Sequence, residues 1–334
     1  MAMAWHGLYS VTWNVTSKCN FSCKHCYVPP PEQRDLSSQE ARKLINRLAD
    51  FNVQKLYISG GEPLLRGDLF DLIKCASDLG LRVATITNGW HMTREKALLF
   101  KSSGVDQVSV SVDGIGKTHD EFRNKVGSFA RCKKAIELLK NAGVNTYLSP
   151  TFSKHNLNEL PRLFSLALEL GVNFSIKVMI PMGQAKVLSE YCLSPEEHKH
   201  LYEYLLAKET EFDGKMDIVT TCNPYSVLFK DKHKLASDRI RGGCTAGISI
   251  LCISADGRIL PCSRLQVVLG NIRVDSLADV WYGSEILNEL RDRENLKGKC
   301  GECRYRNWCG GCRAMALAQR RDYLAEDPSC WIKD

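Results

Sequence analysis

Long apolar runs are missing from this 334-residue chain. The longest candidates, such as Gly247–Ile253, break within a few residues, which excludes a membrane-spanning helix. The first residues lack the charged stretch and apolar core of a secretory leader. Together these absences predict a cytoplasmic protein with no membrane partner. Repeats and low-complexity tracts are also lacking, and the composition shows no sign of disorder. A hydrophobic content of 44% supports a sizeable core, and the length suits a barrel of about 200 residues plus a smaller domain.

Cysteine, by contrast, is abundant. In a cytoplasmic protein, fifteen cysteines read as metal ligands or catalytic groups, not as disulfides, and the odd number argues against complete pairing. The formal charge of +7 invites a nucleic-acid reading. Basic residues are spread along the chain, however, and thiolate ligands would cancel much of the charge, so no nucleic-acid partner is expected.

Up to about residue 215 the pattern alternates. Strand-like segments Tyr9–Val15, Gln54–Ser59, Arg82–Thr87, Asp106–Val112, Val144–Phe152 and Asn173–Met179 are each followed by a segment with helical spacing. Six strand–helix units in series predict an α/β fold with a parallel sheet, a partial (β/α)6 barrel over residues 1–215. Beyond it the alternation stops. Residues 216–334 read as a small cysteine-rich domain with one clear helix near Leu277–Arg293.

Just after the first strand stand Cys19, Cys23 and Cys26, a C-x3-C-x2-C loop. Three thiolates on one short loop can hold a cubane cluster and leave its fourth iron open to a small molecule. Zinc is the alternative, but it usually takes four ligands and no fourth is nearby. The second strand ends in Ser59-Gly60-Gly61-Glu62-Pro63, where glycines permit close approach of a ligand and Glu62 offers an acceptor for an ammonium group. Placed at consecutive strand ends, the two motifs resemble those of the radical S-adenosylmethionine (SAM) superfamily. The resemblance implies a [4Fe–4S] cluster on Cys19, Cys23 and Cys26 and SAM on the open iron. It places His25 where the family often has an aromatic residue on adenine, and gives Gly60, Gly61, Glu62 and Pro63 to the SAM amino group. Weaker matches give SAM contacts to Asn88, to Ser111 and Asp113, and to Arg123 in a His119-Asp120-x-x-Arg123 segment. Pro181-Met182-Gly183 resembles a turn near adenine.

Eight further cysteines follow: Cys244, Cys252, Cys262, Cys300, Cys303, Cys309, Cys312 and Cys330. A zinc ribbon on Cys300, Cys303, Cys309 and Cys312 would leave the other four without a role. The set resembles the SPASM extension of radical SAM enzymes, although the gap before Cys312 is two residues where the family has three. The resemblance implies two auxiliary [4Fe–4S] clusters, one on Cys244, Cys252, Cys262 and Cys312 and one on Cys300, Cys303, Cys309 and Cys330. Cys75 and Cys132 fall in helices and read as apolar fillers, Cys192 has no assigned role, and Cys222 is a candidate to face a cavity between the domains.

The resemblance further implies an iron–sulfur oxidoreductase. A ferredoxin- or flavodoxin-type reductant would supply the electron that cleaves SAM to a 5′-deoxyadenosyl radical. That radical abstracts hydrogen from substrate, and the auxiliary clusters either accept the electron left behind or serve the structure alone. Two substrate classes compete. Cys309-Gly310-Gly311-Cys312-Arg313-Ala314, Asp322–Cys330 and Cys244-Thr245-Ala246-Gly247 resemble enzymes of heme d1 and alternative heme biosynthesis, which act on tetrapyrrole side chains. The other resemblance is to maturases of ribosomally made peptides, such as the pyrroloquinoline quinone precursor enzyme. These often carry a peptide-binding domain ahead of the barrel, and only eight residues stand there, which favours a tetrapyrrole or other small molecule. A non-catalytic iron–sulfur or zinc protein would not account for an open three-cysteine site beside Gly-Gly-Glu-Pro.

Overall fold

The computed structural model describes residues 7–28, 30–220 and 243–332. Six parallel strands line up in chain order: β1 (Ser10–Asn14), β2 (Lys55–Ser59), β3 (Arg82–Thr87), β4 (Gln107–Val110), β5 (Thr146–Leu148) and, after a two-residue β6 (Thr151–Phe152), β7 (Asn173–Val178). A short β8 (Ile218–Thr220) adds to β7, also in parallel. The crossovers are α1 (Ser38–Asp50), α2 (Leu69–Asp78), α3 (Arg94–Ser102), α4 (Lys117–Arg123), α5 (Ser128–Asn141) and α6 (Leu160–Leu170), with α7 (Pro195–Glu211) following β7.

Local chemistry explains these boundaries. Ser37 caps α1 in a capping box with Glu40, and Ala41, Leu44, Ile45 and Leu48 form its buried stripe. The strand expected over Val144–Phe152 is split, because Pro150 lacks the N–H that a continuous ladder needs. The helix expected over Leu277–Arg293 is two: α8 (Leu277–Gly283) and α9 (Glu285–Arg291). Ser284 between them is extended and its hydroxyl caps α9 by accepting from Leu287 N. Two short helices complete the C-terminal region, α10 (Gly298–Glu302) and α11 (Arg313–Arg320).

The cysteine-rich region joins the barrel through the sheet. β9 (Ile250–Ile253) pairs in parallel with the free edge of β1, placing Cys252 opposite Thr12. β10 (Arg258–Leu260) and β11 (Gly270–Asn271) continue antiparallel. Val11 and Trp13 of β1 share one apolar cluster with Leu251, Ile259 and Leu287. Ionic contacts reinforce the seam, with Arg258 on Glu32 at 2.6 Å and Arg273 on Glu40 at 2.8 Å. Among the described residues, no helix is long and apolar enough to cross a membrane. Cys222 lies outside the described residues.

Candidate active site

The three-cysteine loop leaves the C-terminal end of β1, and the Gly-Gly-Glu-Pro turn leaves the adjacent end of β2. Gly61 N donates to Thr16 O and Glu62 N to Lys18 O, both at 2.8 Å. A Cβ on Gly61 would stand 2.0 Å from Lys18 O; Gly60 has φ +134°, and its Cβ would stand 2.5 Å from Thr16 O. The close approach that these glycines permit is therefore to the chain's own cysteine loop. The turn delivers Glu62 into a buried site, where its carboxylate accepts from Leu64 N at 3.1 Å, Thr87 Oγ1 at 2.7 Å and Asn88 N at 2.7 Å. Burial pushes the Glu62 carboxyl up, and the three donors oppose that shift. A carboxylate has about four acceptor positions, so room remains for one further donor. Asn88 Nδ2 donates to Asn20 Oδ1 at 2.8 Å, tying the end of β3 to the same loop.

On the other side of the loop, the segment after β4 supplies a charged network. Asp113 is fully buried and pairs with Arg123 Nε at 2.5 Å and His25 Nε2 at 3.3 Å; Thr151 N donates to its other oxygen at 2.7 Å. Burial works against its ionisation, but Arg123 and His25 outweigh it and hold the carboxyl well below the usual range. Arg123 also reaches the loop, its Nη1 standing 3.9 Å from Cys23 Sγ. Burial pushes the Cys23 thiol up to about 11, and Arg123 draws it back toward the thiolate that a metal would bind. His25 is buried and stacked on Phe122, with ring centroids 4.1 Å apart. Ser111 is buried where β4 ends, and its N–H donates to Thr87 O at 3.0 Å. The Pro181–Gly183 turn also closes on this loop, because Gln184 N donates to Cys26 O at 2.8 Å.

The C-terminal cysteines divide between two cavities. Cys300, Cys303, Cys309 and Cys330 ring a small pocket together with Gly310 and Gly311. Cys244, Cys262 and Cys312 open instead on a cavity of about 540 Å³ inside the barrel. Cys252, close enough to Cys262 for their charges to interact, is fully buried on β9. This division separates Cys312 from the other members of the ribbon quartet. Among the described residues, no three Cys, His, Asp or Glu side chains close on a point fit for one metal ion. Thiol donors arranged around a pocket fit an iron–sulfur cluster, whose irons each take a different ligand. The two groups adjoin, since Cys244 N donates to Cys309 O at 2.8 Å.

Several residues to which the sequence assigned no individual role hold these sites. The fully buried Arg313 donates to Tyr323 O at 2.9 Å and Ala325 O at 2.7 Å, and reaches Cys300 Sγ at 3.7 Å. Arg293 donates to Cys244 O at 2.6 Å. Asp327 accepts from Cys312 N at 2.6 Å. The barrel cavity carries Tyr27, Lys177 and Arg264 on its wall, besides Thr12, Tyr57 and Ser109. Arg264 lies two residues past Cys262 and Arg313 directly follows Cys312. A basic residue so near a candidate ligand was the available signal.

The radical SAM superfamily model matches residues 13–167, and the SPASM model, an iron–sulfur cluster-binding domain, matches residues 244–304. The chain belongs to the radical SAM superfamily and is an iron–sulfur enzyme that works with [4Fe–4S] clusters and SAM. It is 35% identical to the AdoMet-dependent heme synthase of Methanosarcina barkeri, over 96% of this chain and 95% of that protein. It is also 30% identical to the pre-heme d1 synthase of Dinoroseobacter shibae, over 96% and 87% of the two chains. In fold it resembles Streptococcus suis SuiB bound to its precursor peptide SuiA, with a TM-score of 0.80 at 19% identity over 97% of this chain and 76% of that one.

Proposed function

We propose that this enzyme modifies the side chains of a tetrapyrrole of the heme or heme d1 type. The observation that carries the reading is the barrel cavity. At about 540 Å³ it falls in the range for a sizeable organic ligand, and it runs from the interior faces of the strands to Cys244, Cys262 and Cys312. Its wall is largely apolar, with the cations Lys177 and Arg264 able to meet carboxylate side chains. End-to-end likeness to a heme synthase supports the same substrate class.

In this reading residues 1–215 form the radical SAM barrel and residues 216–334 the SPASM domain. Cys19, Cys23 and Cys26 hold the first cluster. Glu62 accepts from the SAM ammonium, and Asn88 and Ser111 border the same site at the ends of β3 and β4. When bound, SAM would supply the radical chemistry that takes hydrogen from carbon. Arg123 and Asp113 hold the loop from behind, and His25, turned toward Asp113, packs the floor. Cys244, Cys252, Cys262 and Cys312 would hold one auxiliary cluster, which would supply an electron acceptor for the substrate. Cys300, Cys303, Cys309 and Cys330 hold the other beside it.

The test is anaerobic turnover of the reconstituted enzyme with SAM, dithionite and an iron porphyrin bearing carboxylate side chains. Product should form with one 5′-deoxyadenosine each, and deuterium at the abstracted position should pass into 5′-deoxyadenosine without returning. Turnover of a precursor peptide, with every such porphyrin inert, would overturn the reading.

A further inference from the structure

We propose that the face formed by Phe21, Lys24, Trp90, Lys96, Lys125 and Arg131 docks an acidic one-electron carrier protein, which delivers the electron to the cluster held by Cys19, Cys23 and Cys26. The proposal rests on the assignment of those three cysteines made above.

Trp90 is half-buried, with Lys125 Nζ 4.7 Å from its ring centroid and Arg131 5.4 Å from it. Phe21 meets the same ring edge-on at 5.7 Å. Phe21 belongs to the cysteine loop itself, its N–H 3.5 Å from Cys19 Sγ, and Cys19 is exposed. The face therefore continues from surface cations, through two aromatic rings, to a candidate ligand sulfur. Lys24, exposed on that loop, is laid beside α4 by the bond from its N–H to Phe122 O at 3.1 Å. Lys96 donates to His91 O at 3.0 Å, and Lys96 and Lys125 both lie close enough to His91 to add to the effect of burial in lowering its pKa.

Two neighbouring acids, Asp120 and Glu121, are engaged elsewhere. Asp120 is turned inward, accepting from Gly127 N at 2.6 Å, Ser128 Oγ at 2.9 Å and Phe129 N at 2.8 Å. Glu121 is engaged with Lys117 at 3.4 Å. Among the described residues, Lys24, Lys96, Lys125 and Arg131 take part in no salt bridge. Aromatic and Arg side chains at the centre of a cationic surface have the composition of a protein interface and steer an acidic partner electrostatically. The step itself is a single electron transfer: the carrier is oxidised by one electron, the cluster gains it, and no bond or proton moves.

The experiment compares K125E/R131E and the milder K125Q/R131Q with wild type, all fully iron-loaded, using an acidic flavodoxin as the probe. Calorimetric binding at low and high salt is measured first, then 5′-deoxyadenosine formation driven by reduced flavodoxin or by dithionite. The charge reversal should weaken flavodoxin binding by roughly tenfold or more, and the neutral pair by less. It should remove most of the salt dependence of binding and slow the flavodoxin-driven reaction alone. Unchanged flavodoxin affinity, or an equal fall in the flavodoxin and dithionite rates, would overturn the proposal. Wild-type protein with no iron on the Cys19–Cys26 loop would instead break the ligand assignment, and the binding measurement would still test the face.

Discussion

In the barrel, three candidate ligands stand within eight residues of one loop, and the elements around them are closed by hydrogen bonds that do not depend on a metal. In the C-terminal region, eight cysteines come from segments as far apart as Cys244 and Cys330. Cys252, Cys300 and Cys309 are buried there, whereas Cys19 is exposed. The regular elements between the C-terminal cysteines are short, and buried Arg293 and Arg313 fill the space between them. The difference implies that a cluster on the Cys19–Cys26 loop would be carried by a completed fold, while clusters on the C-terminal cysteines would form part of the fold that holds them.

The comparison breaks most readily at its candidate metal ligands. Cys300→Ser or Cys309→Ser should cost about 3–5 kcal/mol, because a buried ligand and the cross-links it makes are both lost. Cys19→Ser, Cys23→Ser and Cys26→Ser should each stay within about 1 kcal/mol of wild type. Calorimetric unfolding of the anaerobic holoproteins measures both, and equal losses on the two sides would remove the distinction.

A second expected effect, of about 3 kcal/mol, attaches to Arg313→Met, which deprives the half-buried carbonyls of Tyr323 and Ala325 of their donor. Denaturant unfolding should show the loss, and iron in the Cys300 pocket should fall with it.

Glu62→Gln sharpens the barrel side. A Gln amide must turn an N–H₂ toward Thr87, Leu64 or Asn88, all of which donate to Glu62, and it lacks the charge that would hold the SAM ammonium. SAM affinity should fall about ten- to a hundredfold, or roughly 1.5–3 kcal/mol, with iron content unchanged. Equilibrium dialysis checks this, and unaltered affinity would reduce Glu62 to a turn residue.

The remaining effect concerns pH. Burial lowers the His119 pKa from 6.5 to about 4, and its Nδ1 accepts from Asp113 N at 2.9 Å. Between those values the unfolded chain binds the proton and the folded chain does not, so stability rises with pH across this window and is lost as pH falls through it. His119→Gln should remove up to about 1.4 kcal/mol per pH unit of that slope. Chemical denaturation at several pH values between 4 and 6.5 tests the sign.

Much of the barrel was legible because amphipathic spacing and Ser or Gly caps are local signals, as in α1 and in α6, which closes on left-handed Gly171. The cysteine spacings carried the candidate ligands, and the structure places Cys300, Cys303, Cys309 and Cys330 around one pocket. The pairing of β9 with β1 was not legible. It joins residues some 240 positions apart, through a four-residue strand with no periodic signature. The inward turn of His25 was missed for a similar reason. It depends on Asp113 and Phe122, about ninety residues away, and nothing in Cys23-Lys24-His25-Cys26 announces it.

Iron content and 5′-deoxyadenosine formation, measured side by side on anaerobically reconstituted wild type and the C19A/C23A/C26A variant, test the division of labour directly. The account predicts about twelve irons in the wild type and about a third fewer in the variant. It also predicts a variant with an unchanged melting transition that forms no 5′-deoxyadenosine. Equal iron in the two proteins, or 5′-deoxyadenosine made by the variant, would contradict it.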